Sequence, residues 1–196
     1  MKTKQKRGFI FVLSGPSGSG KTTLAKKVVA SGPLKKKFVK SVSYTTRPKR
    51  PGEVSGKDYF FISENRFKQL LKAKKILEWT RYLEYYYATP KDFVDEQLCK
   101  RKNIVLCLDF KGVLRIKRLY PKNSVSIFIY PPSLDELDLR IKNRCPGSKE
   151  ERKRRLALAK DEIRCTGEYD YRLVNDKLIR ATAELKGIIL NVIKSQ

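Results

Sequence analysis

A chain that leaves an apolar run through Gly15-Pro16-Ser17-Gly18-Ser19-Gly20-Lys21-Thr22 has few folds open to it. The stretch fits G-x-x-x-x-G-K-[ST], and it stands between a continuous apolar strand, residues 8–14, and a helical pattern from about Lys21. Its three glycines allow the backbone to curl so that successive N–H groups point at one anion, and the helix adds the positive end of its dipole. This is a cradle for the phosphates of a nucleoside triphosphate. Lys21 is spaced to reach the β- and γ-phosphates, and the Thr22 hydroxyl to ligate Mg²⁺. GTPases, ATPases and small-molecule kinases all use such a loop, so the acceptor must be read elsewhere.

Strand-like runs alternate with helical patterns along the rest of the chain, which argues for an α/β domain on a mainly parallel sheet. Gly32-Pro33 ends the first helix. Residues 39–46 read as extended, 47–57 as a charged loop and 58–62 as a short strand. Ser63 is placed to cap a helix to about Lys74. Residues 76–82 are extended and lead into the cluster Glu84-Tyr85-Tyr86-Tyr87-Ala88-Thr89. Thr89-Pro90-Lys91-Asp92 then has capping-box spacing, with proline at the first helical position. Residues 103–109 and 124–130 are two more buried strands, the second stopped by Pro131-Pro132. Ser133 opens a helix to about Arg144, Cys145-Pro146-Gly147-Ser148 breaks it, and an arginine-rich helix runs on to about Cys165. Residues 171–175 form a last strand before an amphipathic C-terminal helix. With 196 residues and no repeat or low-complexity linker, one domain is expected.

Composition bounds the chemistry. The chain has no histidine, so a Ser-His-Asp triad and a Cys/His zinc site are both excluded. Any proton acceptor is a carboxylate or the substrate itself. Cys99, Cys107, Cys145 and Cys165 form no CxxC pair and are expected as reduced thiols. No apolar run approaches the ~20 residues that span a bilayer, and no signal-peptide pattern is present, so a cytoplasmic protein is expected. The formal charge of +25 is extreme. Solvated lysine-rich faces, steering of an anionic substrate and nucleic-acid binding all accommodate it. Lys35-Lys36-Lys37, Lys72-Ala73-Lys74-Lys75 and Arg152-Lys153-Arg154-Arg155 are scattered in sequence, which ranks those readings in that order.

Ser43-Tyr44-Thr45-Thr46-Arg47-Pro48-Lys49-Arg50-Pro51-Gly52-Glu53 sets two arginines in a turn with Tyr59 close behind. Arginine forks suit a phosphate monoester dianion. A solvated charged loop would look the same in isolation. The longer pattern S-x-S-x-T-T-R-x-x-R-x-G-E-x-x-G-x-x-Y-x-F, however, resembles the GMP-phosphate segment of guanylate kinases, and the resemblance extends from the glycine loop to Val174-Asn175-Asp176. It implies an α/β fold: a parallel-sheet P-loop kinase core flanked by helices (residues 8–38, 92–139 and 157–196), an inserted GMP-binding subdomain (39–91) and a short helical lid (140–156). It implies transfer of the γ-phosphoryl of ATP to GMP, and to dGMP, with Mg²⁺. ATP would be held by Gly15, Pro16, Ser17, Gly18, Ser19, Gly20, Lys21, Thr22 and Thr23, with Asn175 near the adenine. Ser43, Arg47, Arg50, Tyr59 and Tyr87 would hold the GMP phosphate. Glu78 would accept from guanine N1–H and N2–H₂, Thr89 would donate to O6, and Asp109 would stand near nucleotides and metal. Arg140, Arg144 and Arg155 would act with Lys21 and Arg47 on the transferring group, while Arg152, Lys153 and Arg154 stay solvated.

The chain departs from the family at two places. D-x-D-x-Q-G is here Cys107-Leu108-Asp109-Phe110-Lys111-Gly112, and G-N-Y-Y-G-[ST] is Glu84-Tyr85-Tyr86-Tyr87-Ala88-Thr89, which is expected to put a charge beside the base pocket and to shift the backbone at Ala88. Rival readings remain. A non-catalytic interaction module of the same family is opposed by the intact glycine loop. A nucleic-acid-binding protein is opposed by tyrosines that cluster at the acceptor segment instead of interleaving with lysines. Another nucleoside monophosphate as acceptor is the rival within the enzyme class. The expected partners are ATP and GMP, without membrane or nucleic acid, in a monomer or weak homo-oligomer.

Overall fold

The first apolar run becomes β1 (Ile10–Ser14), at the centre of a five-stranded parallel sheet in the computed structural model, which describes residues 8–144, 148–164 and 166–195. Ile10 and Val12 pack into one apolar cluster, Phe11 and Leu13 into another, so the run is apolar throughout because both faces of the sheet are covered. The order across the sheet is β2 (Phe38–Lys40), β7 (Asn103–Cys107), β1, β8 (Ser124–Tyr130) and β9 (Tyr171–Val174). Helices α1 (Lys21–Val29) and α7 (Leu178–Lys194) cover one face through Leu24, Val28, Ala181, Leu185 and Ile189. Helices α3 (Lys91–Cys99) and α4 (Phe110–Leu119) cover the other through Val94, Leu98, Val113 and Ile116. All strands run the same way, so their C-terminal ends open on one edge, where ligands of open α/β sheets sit.

A second, mixed sheet stands beyond that edge: β4 (Phe60–Phe61), β3 (Tyr44–Thr45), β6 (Tyr85–Pro90) and β5 (Ile76–Tyr82), with α2 (Glu64–Lys72) alongside. The expected extended stretch 39–46 is therefore two strands in two sheets. Ser41 N–H still donates to Val105 O at 3.1 Å, and then the chain leaves the core. The tyrosine cluster is strand β6, paired antiparallel with β5 around a tight turn that holds Leu83 at φ 55°. Ala88 pairs in register with both Tyr44 and Trp79, and the irregularity of the β5–β6 pairing falls between Ile76 and Glu78. Pro90 ends β6 and takes the N-cap position of α3 instead of its first helical position, and no side chain caps that helix. Ser63 does cap α2, accepting from Arg66 N–H at 3.2 Å.

Helix α4 has no counterpart among the sequence expectations. Asp109 starts it by accepting from Gly112 N–H at 2.9 Å. Helices α5 (Leu134–Arg144) and α6 (Lys149–Arg164) pack together on Leu137, Ile141 and Ala159. Arg152, expected to be solvated, is half-buried and ion-paired to Asp138 on α5, because the two helices face each other there. The expected break at Cys145-Pro146-Gly147 and helix end at Cys165 lie outside the described residues.

Candidate active site

The turn from β1 into α1 is pressed against the ends of β8 and β9. A Cβ on Gly20, which sits at φ 93° as the N-cap of α1, would lie 2.1 Å from the Asn175 amide nitrogen. One on Gly15, at φ 133°, would lie 2.4 Å from Ile129 O. Only glycine fits either position. Asn175, 6% exposed, braces the loop from β9 by donating from Nδ2 to Ser19 O at 2.8 Å. Lys21 folds back over the loop, its Nζ donating to the carbonyls of Gly15 and, at 2.9 Å, Pro16. Ser19 Oγ is buried without a hydrogen-bond partner among the described residues. Beside Thr22 stands the Cys107 thiol, whose pKa burial raises against the pull of Lys40 and Lys21.

Across the edge, Arg47 is 6% exposed and its Nη2 meets both oxygens of Glu53, at 2.7 and 2.9 Å. Its Nη1 donates to Pro48 O at 2.6 Å, and the guanidinium lies 5.6 Å from the centre of the Tyr59 ring. Burial works against the charge, but Glu53 and Tyr87 outweigh it and hold the Arg47 pKa above its ordinary value. Glu53 also accepts from Arg50 N–H at 2.9 Å, which closes the charged loop on itself. Tyr59 and Tyr87 meet edge to face at 5.8 Å.

Glu78, on β5, is 6% exposed, and Thr89 Oγ1 on the neighbouring β6 donates to its Oε1 at 2.5 Å. Burial pushes the Glu78 carboxyl up to about 7, the nearby Asp109 charge adds to that, and the Thr89 bonds oppose it. The Thr89 hydroxyl is therefore turned to a carboxylate, not to the start of α3, which explains why the capping box does not form.

These groups share one cavity of about 150 Å³, lined by Gly15, Ser17, Lys21 and Thr22 from the loop, by Ser43, Arg47, Arg50, Tyr59, Glu78 and Tyr87 from the second sheet, and by Asp109 and Arg155. An adjoining open cleft of about 1070 Å³ adds Gly18, Gly20, Thr23, Arg140 and Asn175. Pro16, Ser19 and Thr89 stand behind these walls, and the Arg144 side chain lies outside the described ones. Glu84 sits exposed in the β5–β6 turn and lines neither space, so the extra charge expected beside the base pocket is not there. Each α5–α6 arginine on the walls has a carboxylate one turn back: Arg155 with Glu151 at 2.5 Å and Arg140 with Glu136 at 2.8 Å.

Thr80, Tyr82 and Glu162 are among the lining residues that escaped the sequence reading. Thr80 and Tyr82 follow Glu78 at intervals of two on β5, so the pleat turns all three to the same side. Burial pushes the Tyr82 phenol up to about 12, and it lies against Ser17 and Arg155. Glu162 lies two helical turns after Arg155 on α6 and is pushed up to about 7 by burial, with Lys21 opposing and Asp109 adding. Period-two and period-seven spacing from Glu78 and Arg155 would have found them.

The glycine loop with Lys21 and the arginines Arg47, Arg50 and Arg155 line one cavity, in a chain without histidine; the arrangement suits the passage of a phosphoryl group between two small phosphorylated molecules, the chemistry of P-loop kinases. The fold agrees at low sequence similarity: a gluconokinase from Sinorhizobium meliloti superposes with a TM-score of 0.52 at 13% identity, covering 96% of this chain and 95% of that one. The guanylate kinase family model matches residues 7–192, and the chain belongs to the guanylate kinase family. Guanylate kinase from Wolbachia pipientis wMel is 40% identical over 187 residues, 95% of this chain and 92% of its own length. That of Caldanaerobacter subterraneus subsp. tengcongensis is 42% identical, over 95% and 88%. The crystal structure of guanylate kinase from Anaplasma phagocytophilum has a TM-score of 0.78 at 31% identity, covering 94% of this chain and 86% of that one.

Proposed function

We infer that this chain transfers the γ-phosphoryl group of ATP to GMP, giving ADP and GDP, and accepts dGMP as well. The observation that carries the reading is the single cavity joining Lys21 on the loop to Arg47 and Glu78 on the second sheet. Its relatives at about 40% identity are guanylate kinases over nearly their whole length.

The residue roles form part of the proposal. The loop, 15–23, and Asn175 hold ATP, and Lys21 leaves its two carbonyls to follow the γ-phosphate. Arg47, Arg50, Ser43, Tyr59 and Tyr87 hold the GMP phosphate in line. The Glu78 carboxylate accepts from guanine N1–H and N2–H₂, while the Thr89 hydroxyl turns from Glu78 to O6. Adenine offers no such donor pair and leaves the carboxylate unmatched. Arg140, Arg144 and Arg155 close residues 140–156 over the transferring group and exclude water. The attacking oxygen belongs to a phosphate that is already anionic, so no general base is needed, in keeping with a chain that lacks histidine.

Among the described residues no group of three or more His, Cys, Asp and Glu could cage a metal. The Thr22 hydroxyl and the Asp109 carboxylate, which both line the cavity, fit a hard cation that arrives with the nucleotide phosphates. Bound there, Mg²⁺ supplies neutralisation of charge across the β- and γ-phosphates. A cytoplasmic setting suits the free thiols of Cys99 and Cys107, and no helix among the described residues is long and apolar enough to cross a membrane.

The test is ADP release in a coupled assay with GMP, dGMP, AMP, UMP and CMP offered singly. Turnover with GMP and dGMP, and far less with the others, is expected. Equal or better turnover with AMP would sink the acceptor assignment.

A further inference from the structure

The sequence scatters its cations, and the parallel sheet regathers some of them at the edge opposite the cleft. There β2, β7, β1 and β8 begin side by side. Asn103 N–H donates to Lys37 O at 2.8 Å, Ile104 N–H to Phe9 O at 2.8 Å, and Ile10 N–H to Asn123 O at 2.7 Å. The segments leading into these strands include Lys35-Lys36-Lys37, Lys100-Arg101-Lys102 and Lys122. They touch: the Lys102 ammonium donates to Lys36 O, and a Cβ on Gly8 would lie 2.0 Å from Lys102 O.

The side chains of Lys35, Lys36, Lys37, Arg101 and Lys122 are exposed, and among the described residues none of the five is in an ion pair. Carboxylates are scarce here. The first in the chain is Glu53, so none precedes β1 or β2. On α3, Glu96 is matched by Lys100 and Asp95 by Lys91. On β9's side, Asp170 is matched by Lys117.

We propose that this edge docks the phosphate backbone of a nucleic-acid duplex. From β2 to β8 is three strand spacings, about 14 Å. A duplex carries one charge per about 1.7 Å of axis with both strands counted, so that length holds about eight phosphates, of which the row meets those on its own side. The lead-in segments 35–37, 100–102 and 121–123 hold no aromatic residue to stack an unpaired base, and no large apolar side chain to enter a bilayer. Binding is therefore through charge alone and blind to sequence. The surface lies about the length of β1, roughly 16 Å, from the catalytic cleft. Duplex and nucleotides bind together.

The scatter of lysines in sequence argued against nucleic acid; the topology reverses that inference while keeping the binding weak. Fluorescence polarisation of a labelled RNA or DNA duplex, titrated with the full chain, tests it. Affinity is expected in the micromolar range near physiological salt, with a slope of log K on log salt of about −4.5 for five neutralised phosphates. That is a fall of several hundredfold from about 50 to 200 mM. The combined variant Lys35→Gln, Lys36→Gln, Lys37→Gln, Arg101→Gln should cut the slope to about −1, with ATP–GMP turnover and circular dichroism unchanged. An unchanged slope in that variant would overturn the proposal. So would release of the duplex by ATP plus GMP, which would put it in the cleft. Tighter binding to anionic phosphatidylserine vesicles than to the duplex would replace it with a membrane surface.

Discussion

The donor wall of the cleft is made of main chain, residues 15–20, held in shape by glycines and by one bracing amide from Asn175. The acceptor wall is made of side chains, Ser43, Arg47, Arg50, Tyr59, Glu78 and Tyr87, brought together by the four-stranded sheet and the segments that flank its strands. Main-chain N–H groups cannot be substituted away, so the donor wall tolerates change only where a Cβ has room. The acceptor wall can be altered one contact at a time. Donor binding should therefore be lost through few positions and sharply, whereas acceptor choice should be graded.

The largest effect tests the donor side at its charged side chain. Lys21→Ala should lower kcat by about a hundredfold or more, the scale of losing a charge aimed at the reacting group. Its fold should persist, since Lys21 is half-buried and the described hydrogen bonds of its Nζ go to two loop carbonyls. Near-normal turnover in a folded variant would break the comparison at its root.

Glu78→Gln is next. A donor would then face a donor on guanine, and the loss of a charged hydrogen bond is worth about 1.5–3 kcal/mol, roughly tenfold to a hundredfold in kcat/KM for GMP. The KM for ATP should hold, and discrimination against AMP should relax. A change in ATP use as large as that in GMP use would show that the two walls are not separable.

Acid sharpens the same point. Glu78 and Glu162 are both pushed up to about 7 from an ordinary 4.5. Each binds its proton more tightly in the folded chain, so its contribution to stability is full below about 4.5 and is lost as pH rises through about 7. Guanine reading needs the carboxylate, so GMP affinity should run the other way and fall as pH drops through 7, approaching tenfold per unit. The GMP phosphate titrates too, and the comparison with Glu78→Gln removes that part. Calorimetric titrations that show the same pH dependence in both proteins would exclude Glu78 as its source.

The smallest effect lies behind the acceptor wall. Glu53→Gln leaves Arg47 in place without its fork partner, whose side chain is 14% exposed against 7% for Arg47. The free protein should lose on the order of 1–3 kcal/mol, measured by thermal unfolding. Saturating GMP should restore part of it, because the proposed function puts its phosphate on the same guanidinium. No recovery with GMP would separate Arg47 from the acceptor.

What could be read in advance follows the same division. Residues 15–22 carry the donor wall in eight consecutive positions, and β1, β7 and β8 are mostly apolar because both their faces are covered. The acceptor wall joins positions 43 to 89, and the spacing of Arg47 and Arg50 alone looked no different from a solvated loop. Glu78 looked equally plain; its burial comes from α4 and β6 closing over it, and α4 was itself missed because a ten-residue helix with Lys111, Arg115, Lys117 and Arg118 looks like more of the dispersed charge. Tyr85–Pro90 defeated local reading for a different reason: three tyrosines in a row carry no alternation, and the strand exists because β5 and β3 pair with it from either side.

The pairing of Arg47 with Glu53, Arg140 with Glu136 and Arg155 with Glu151 has a consequence for how ligands come and go. Each guanidinium carries a tethered counterion of its own, so with the proposed roles an arriving phosphate would displace a carboxylate and not a dissolved anion. Few ions are exchanged with the buffer, and nucleotide capture at equilibrium should depend on salt far less than the chain's net charge of +25 suggests. The displaced carboxylates stay within a helical turn or a short loop of their arginines. They act as a built-in eluent, ready to reclaim each arginine as product leaves.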